Sequence, residues 1–434
     1  MRKTIRQEIA NFVAARKFAT ASEIAKIFEI SKPTAINELK KSGALALGNS
    51  VNRFYVLPRE IPSLGAKWNL YRVGEDAGLS KLGVLTRTSA GFLFDGDYPA
   101  LLGNEFPNGH FDSLPWLLAD ARPQGFVGRT IARVLAKFGF GSDPRNWRDD
   151  KIVEYFVRFG CNIPGALILG DNARDDFLRG HEPDLNGKAR AATYPEFARR
   201  AMENGEPHSS AAGEQPKFCA MVKEPGGFVR NVVVKFSGET DSTEQTRVAD
   251  LLIAEHVALR FLAKNGFPAP KTRLVFSENR VFLESDRIDR VGRYGRKPAC
   301  SLSSIDAAFI GSGGGSWADA MAAAPDCFLE KEIALVKRLH DFGAAIGNND
   351  MHFGNLSFYI EREQPFRLAP IYDMLPMCYA PLADGTMRQG ALRTIPPTDD
   401  ARQLASGFWR ELANADNLSD NFRKIATDTA KALA

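Results

Sequence analysis

The residues best suited to chemistry lie in one short run, Asn348-Asn349-Asp350-Met351-His352-Phe353-Gly354-Asn355, and in a later one, Ile371-Tyr372-Asp373. An aspartate with an asparagine five residues on is a spacing that serves phosphoryl transfer. The carboxylate orients an attacking hydroxyl and accepts its proton. An amide oxygen ligates Mg²⁺ without adding charge, and a second carboxylate at a strand end completes the protein's share of the ligands. Asp350 is therefore the expected catalytic base, and Asn355 and Asp373 are the expected Mg²⁺ ligands. His352 reads as a hydrogen-bonding strut beside Asp350, since the six histidines are scattered and offer no metal cluster. Asp341-Phe342-Gly343 imitates a metal-binding tripeptide, but it precedes Asp350 and falls on a helix, so the metal role goes to Asp373.

Three upstream features suit a nucleotide. Val232–Phe236 is an apolar strand with one lysine, Lys235. A lysine among buried strand residues needs an anionic partner, here a phosphate with Glu255 holding the ammonium. Alternatively Lys235 faces solvent on an edge strand, and the residues alone leave both readings open. Ser209-Ser210-Ala211-Ala212-Gly213-Glu214-Gln215-Pro216-Lys217 suits a loop that lays backbone N–H groups over phosphates, although an ordinary hairpin loop has a similar composition. Arg280–Arg290 reads as a strand running into a charged connector, fit for a hinge whose backbone pairs with an adenine edge.

These residues need elements to position them. A helix over about 329–346 delivers the Asp350 loop, and one over 246–264 carries Glu255. Farther forward the pattern gives strands over 68–94, helices around 116–118, 128–138 and 151–159, a buried strand at 166–170, a polar stretch over 171–188 and a helix at 194–204. The whole chain has 434 residues, 25% charged and 44% hydrophobic, enough for two or three domains with real cores. That balance excludes disordered and collagen-like chains. No apolar run is long enough to span a membrane. Five scattered cysteines and the lack of a signal-like start lead us to expect free thiols and a cytoplasmic protein.

The net charge of +4 is unevenly spread: residues 1–60 hold eleven basic and five acidic side chains, and the remainder holds 45 and 47. The positive excess thus lies wholly at the front. There Thr20-Ala21-Ser22-Glu23 reads as a capping box, Ser31 with Pro33 starts a second helix, and two β-like stretches flank Gly48-Asn49. This order resembles a winged helix-turn-helix. On that reading Thr34 and Asn37 face base edges, while Lys32, Lys40, Lys41 and Arg53 lie near phosphates of double-stranded DNA. Winged helices also dock proteins, and DNA is the preferred partner here.

Taken in order, A-G-x-Q-x-K, a strand lysine, D-R-I-D-R, N-x-D-x-H-x-x-N and Y-D resemble the HipA family of serine/threonine kinases, toxins of type II toxin–antitoxin systems. The resemblance spans about residues 68–400. A front-end helix-turn-helix departs from the usual two-chain arrangement and resembles the single-chain, YjjJ-type branch. The resemblance implies an α+β fold: a winged helix-turn-helix at 1–58, an N-terminal subdomain at 64–180, a kinase N-lobe at 190–290 and a mostly helical C-lobe at 291–434. It implies an ATP- and Mg²⁺-dependent kinase. Ala212, Gly213, Glu214, Gln215, Pro216 and Lys217 would form the phosphate loop, Lys235 would bind phosphates and pair with Glu255, and Asp286, Arg287 and Ile288 would form the adenine hinge. His352 and Tyr372 would line the site. Ser210 would be autophosphorylated, with Ser209 the adjacent candidate. Gly311–Ser316 matches a flexible loop of the family. Further partners would be a protein phosphorylated on Ser or Thr, and an antitoxin or a second copy of the chain. Two alternatives are a DNA-binding regulator whose kinase fold only senses nucleotide, and a metal-dependent nuclease using Asp350, Asn355 and Asp373.

Overall fold

The computed structural model describes every residue except 1, 49–52, 103–105, 107, 181–184, 204–214, 362–363, 383–384 and 394. The expectations for Asn49, Ser209, Ser210, Ala212, Gly213 and Glu214 lie outside the described residues.

The fold is α+β. At the front, helix Arg2–Arg16 precedes two short helices, Ala21–Ile27 and Lys32–Lys41. Thr20 and Glu23 form the expected capping box, with the Glu23 N–H donating to Thr20 Oγ1 at 3.1 Å and the Thr20 N–H to Glu23 at 2.7 Å. Ser31 caps the next helix through the Thr34 N–H. Strands Leu45–Leu47 and Phe54–Val56 pair antiparallel, with Leu47 opposite Phe54, and Ala19–Thr20 joins the outer edge of Phe54–Val56. Ile9, Val13, Ile24, Ala35 and Leu39 fill this module's own core.

The module rests on a five-stranded antiparallel sheet. Strands Lys67–Val73, Leu79–Thr88 and Gly91–Gly96 form a meander, with Leu167–Leu169 on one edge and His110–Phe111 on the other. Leu47 and Val56 pack on Ala90 in the turn of this meander, and Ser89 Oγ donates to the Lys17 carbonyl at 3.0 Å. The expected helices are present as Trp116–Asp120, Gly125–Leu135 and Asp149–Phe159. One expectation is corrected: the polar stretch begins with a helix, Asp171–Arg179. Its sparse apolar residues, Ala173 and Phe177, suffice because both fall on one face against Tyr71, Val73 and Ile168.

A second five-stranded sheet runs Thr272–Ser277, Arg280–Asp286, Val229–Phe236, Lys217–Lys223, Leu185–Asn186, packed by helix Arg190–Glu203 and the long helix Thr243–Lys264. Helices Glu330–Ile346, Asp399–Ala413 and Asp420–Leu433 dominate the remainder, beside a small sheet of Ala299–Ser301, Ser357–Tyr359 and Arg367–Leu368. One continuous apolar core joins Trp68, Phe92 and Trp116 of the front sheet region to Leu259, Phe342 and Trp409. Each such side chain contributes roughly 1.5–3 kcal/mol by burial. The front sheet is thus built into the body that carries the site.

Candidate active site

Along Val229–Phe236, Val232, Val234 and Phe236 face one apolar cluster, so strand alternation turns Lys235 to the other face. The strand is interior, flanked by Lys217–Lys223 and Arg280–Asp286, which settles the edge-strand alternative against it. The Lys235 ammonium donates to both oxygens of Glu255, at 2.6 and 2.7 Å, and to Oδ1 of Asp373. Only 12% of its side chain and 3% of that of Glu255 are exposed. Burial favours the neutral amine, but Asp373 and Glu255 outweigh it and hold the Lys235 pKa above its ordinary value. Burial pushes Glu255 upward against the pull of Lys235. It pushes Asp373 upward too, yet Lys235 and Lys217 prevail and bring that carboxyl down to about 2. Lys217 stands directly across from Lys235 in the strand register.

Helix Glu330–Ile346 ends at Gly347, whose φ of 83° turns the chain out of the helix. The decoy Asp341 lies within this helix, paired with Lys337 at 3.1 Å. Asn348, buried, then ties two segments together. Its Oδ1 accepts from the Asp350 N–H at 3.1 Å, and its Nδ2 donates to the Asp373 carbonyl at 3.2 Å. Asn355 Nδ2 donates to the Asp350 carbonyl at 2.8 Å. Asp373 itself has φ 55°, a left-handed backbone that a non-glycine residue adopts at a cost of order 1–3 kcal/mol. The Asp350 carboxylate is 55% exposed, open to an incoming hydroxyl.

His352 Nδ1 accepts from the Gly354 N–H at 3.0 Å, which leaves the proton of the neutral ring on Nε2, 4.0 Å from Asp350 Oδ1. It is placed as a strut. The Tyr372 hydroxyl donates to the Gly354 carbonyl at 2.8 Å and lies 2.7 Å from Ser357 Oγ, so it braces the loop from behind. At the connector, the Asp286 and Arg287 N–H groups donate to the carbonyls of Lys271 and Asn231. Arg287 is bidentate to Asp289, and the Ile288 carbonyl accepts from Tyr359 at 2.9 Å. Pro216 O accepts from the Phe236 N–H, and the Gln215 amide donates to Phe236 O. The described end of the expected phosphate loop, Gln215 and Pro216, is thereby fixed to the Lys235 strand.

The donor set fits Mg²⁺. Asn355 spends its N–H₂ on Asp350 and keeps its amide oxygen, and Asp373 supplies a carboxylate. Among the described residues no group of three or more His, Cys, Asp or Glu could hold a metal, and Mg²⁺ needs only one or two protein oxygens beside phosphates and water. Sequence reasoning gave no role to Asn348 or Ser357. An asparagine two residues before Asp350 is a turn signal that could have flagged the first; nothing marks the second.

In the front module Lys32, Asn37, Lys40, Lys41 and Arg53 are exposed. Thr34 is exposed as well, but its hydroxyl is engaged with Ser31 Oγ at 2.7 Å. Lys41 sits 3.6 Å from Glu38, which Arg6 also holds at 2.9 Å.

The chain is similar to known proteins over most of its length. Residues 64–178 match the family model described as the YjjJ-like toxin middle domain, and residues 209–434 match the HipA-like C-terminal domain. Toxin YjjJ of Escherichia coli (strain K12) is 36% identical over 330 residues, covering 73% of this chain and 74% of that protein. Among solved structures, the Shewanella oneidensis MR-1 toxin–antitoxin complex of HipA, HipB and operator DNA matches at 14% identity and a TM-score of 0.49, over 84% of this chain and 95% of that one. The Helicobacter pylori proinflammatory kinase CtkA matches at 15% identity and a TM-score of 0.32, over 52% and 94%. With a family match over more than half its length and a relative this similar over nearly three quarters of it, the chain belongs to the HipA-like toxin family, beside its YjjJ-type members.

Proposed function

We propose that this chain is an ATP- and Mg²⁺-dependent serine/threonine protein kinase of the HipA toxin type, carrying its own DNA-binding domain. The observation that supports it most is Lys235, held by Glu255 and Asp373 and facing a loop in which Asn355 is bonded to Asp350. Residues 1–58 would be a winged helix-turn-helix, 64–180 the N-terminal subdomain, 190–290 the N-lobe and 291–434 the C-lobe.

In this reading Asp350 accepts the proton of a Ser or Thr hydroxyl as its oxygen bonds to the γ-phosphorus and the bond to the β–γ bridging oxygen breaks. Lys235 holds the α/β phosphates, and Glu255 keeps its ammonium aimed. Asn355 and Asp373 would hold Mg²⁺, which when bound neutralises charge on the phosphates. Asn348 and Tyr372 keep the loop and Asp373 in register. Ile288 is the hinge member whose N–H has no backbone partner among the described residues, so it is the donor left for an adenine edge. Ser210 would be the autophosphorylation site. The protein would act in the cytoplasm; no helix among the described residues is long and apolar enough to cross a membrane. A protein substrate, double-stranded DNA, and an antitoxin or second copy would be its partners.

The test is phosphoryl transfer from γ-labelled ATP with Mg²⁺. Asp350→Ala should abolish labelling while ATP affinity is kept, and intact mass should give one phosphate at Ser210 in the parent. An Asp350→Ala protein that labels as well as the parent overturns the reading. A parent that binds ATP but never transfers points to a nucleotide-sensing regulator.

A further inference from the structure

Asp120 ends the helix Trp116–Asp120, in the region matched by the YjjJ-like middle domain, far in sequence from the catalytic loop. Its carboxylate is turned inward. It accepts from the Ser301 N–H at 3.0 Å and from the Ser301 hydroxyl. The same helix is latched a second time, where Ser304 Oγ donates to the Trp116 carbonyl at 2.6 Å. Burial pushes the Asp120 pKa up, with both Ser301 donors opposing. No ion pair to Asp120 is found among the described residues. A carboxylate turned away from water without a cation is costly unless hydrogen bonds compensate it.

Ser301 leads directly to the site. It pairs with Ser357 in the small sheet, and the next residue's N–H, on Leu302, donates to the Leu356 carbonyl at 2.7 Å. Ser357 Oγ meets the Tyr372 hydroxyl at 2.7 Å, and Tyr372 bonds the Gly354 carbonyl. Gly354 adjoins Asn355, and Tyr372 adjoins Asp373. A chain of contacts thus runs from the middle domain to the backbone of both expected metal ligands.

We propose that Asp120 is a positioning residue for phosphoryl transfer: the middle domain, through Asp120 and Ser301, sets the Ser357–Tyr372–Gly354 brace that aims Asn355 and Asp373. This rests on the kinase reading above. It adds that the site is incomplete without the middle domain.

The experiment uses the full chain. Asp120→Ala and Ser301→Ala should each lower kcat for phosphoryl transfer on the order of 10- to 100-fold, the range for outer supports of a metal site, with KM for ATP nearly unchanged. Ser301→Thr keeps the hydroxyl and should restore most of the rate, and the exposed Asp112→Asn is the control. A readout free of activity is amide hydrogen exchange. Both alanine variants should speed exchange in 353–357 and 371–374, and leave the front module's helices unchanged. If the parent transfers phosphate and the alanine variants keep parental kcat and parental exchange, the proposal is overturned. If the parent transfers nothing, the kinase reading fails by itself, and the exchange arm still decides whether Asp120 sets the loop. Should Asp120→Ala fail to fold, Asp120→Asn, which keeps one acceptor, carries the test.

Discussion

Asn355 donates its side-chain amide to the carbonyl of Asp350 at 2.8 Å, closing the loop between them on itself. The same side chain therefore shapes the loop and, on the kinase reading proposed above, would offer an oxygen to a metal. Asn355→Ala loses both and should lower phosphoryl transfer by about 10²-fold or more, the scale of removing one preorganised polar group. Asn355→Asp keeps an oxygen ligand but sets a carboxylate against the Asp350 carbonyl. Raising Mg²⁺ should recover activity in the aspartate variant and not in the alanine variant, as a titration of initial rates would read.

Asn348 makes a different prediction, because it meets the site through backbone groups, beside a contact with Met374 Sδ at 3.5 Å. It bonds the Asp350 N–H and the Asp373 carbonyl across the site. Asn348→Ala leaves those partly buried groups unpaired, at up to about 1–3 kcal/mol. Both a lowered melting temperature and a lowered kcat are expected, while Asn348→Asp, which keeps only the acceptor, should fall between. Equal melting and equal kcat would remove Asn348 from the site's support.

These two residues mark where the sequence was legible and where it was not. Asp350, Asn355 and Asp373 could be singled out because the chemistry proposed for them dictates residue type and spacing, although Asp373 lies beyond the strand Arg367–Leu368 and not at its end. Lys235 could be read neither as buried nor as solvent-facing, since strand order depends on contacts far along the chain. Asn348, Ser357 and Asp120 act through partners 25, 15 and 181 residues away, and no local pattern encodes such distances. The front module was legible because caps and turns are local: Thr20, Glu23 and Ser31 do what their types suggest. The helix Asp171–Arg179 was missed because its apolar stripe is only two residues wide, and tertiary packing supplies the rest.

Asp373 also sets a pH dependence. Lys235 and Lys217 hold its folded pKa at about 2 against an ordinary 3.8. A depressed folded pKa gives stability that is fully present above the unfolded value and is lost as pH falls through the folded one. This contribution should therefore fade between about pH 4 and pH 2. In Lys235→Met the depression is largely removed, so the acid unfolding curve should be shallower over that window, while the protein is less stable at neutral pH because Glu255 is left buried without its cation. Chemical denaturation at a series of pH values would read both effects.

Asp289 gathers Arg287 and Arg290 at the connector and accepts from the Gly165 N–H at 2.8 Å. Burial raises its pKa, but the two guanidinium groups reverse this and keep it ionised. Asp289→Ala leaves buried cations unopposed and should cost about 3–5 kcal/mol, the penalty for breaking a buried pair from one side. A drop in the urea midpoint would register it. Asp289→Asn, which still accepts one bond, should lose less.

The final prediction concerns the front module, on the reading that its helix Lys32–Lys41 lies on DNA. Lys32 and Lys40 are exposed, with no ion pair found among the described residues, whereas Lys41 is 3.6 Å from Glu38. A cation already opposed by a carboxylate releases fewer counterions when it meets a phosphate. Lys32→Ala and Lys40→Ala should each make the log–log salt dependence of duplex binding shallower by about 0.9, and Lys41→Ala by clearly less. Asn37→Ala should instead leave the salt slope alone and relax sequence preference, because a base-edge contact carries specificity and not charge. Binding isotherms over a salt series, with specific and scrambled duplexes, separate the two effects. If residues 60–434 bind duplex as tightly as the full chain, the front module is not the DNA-binding element.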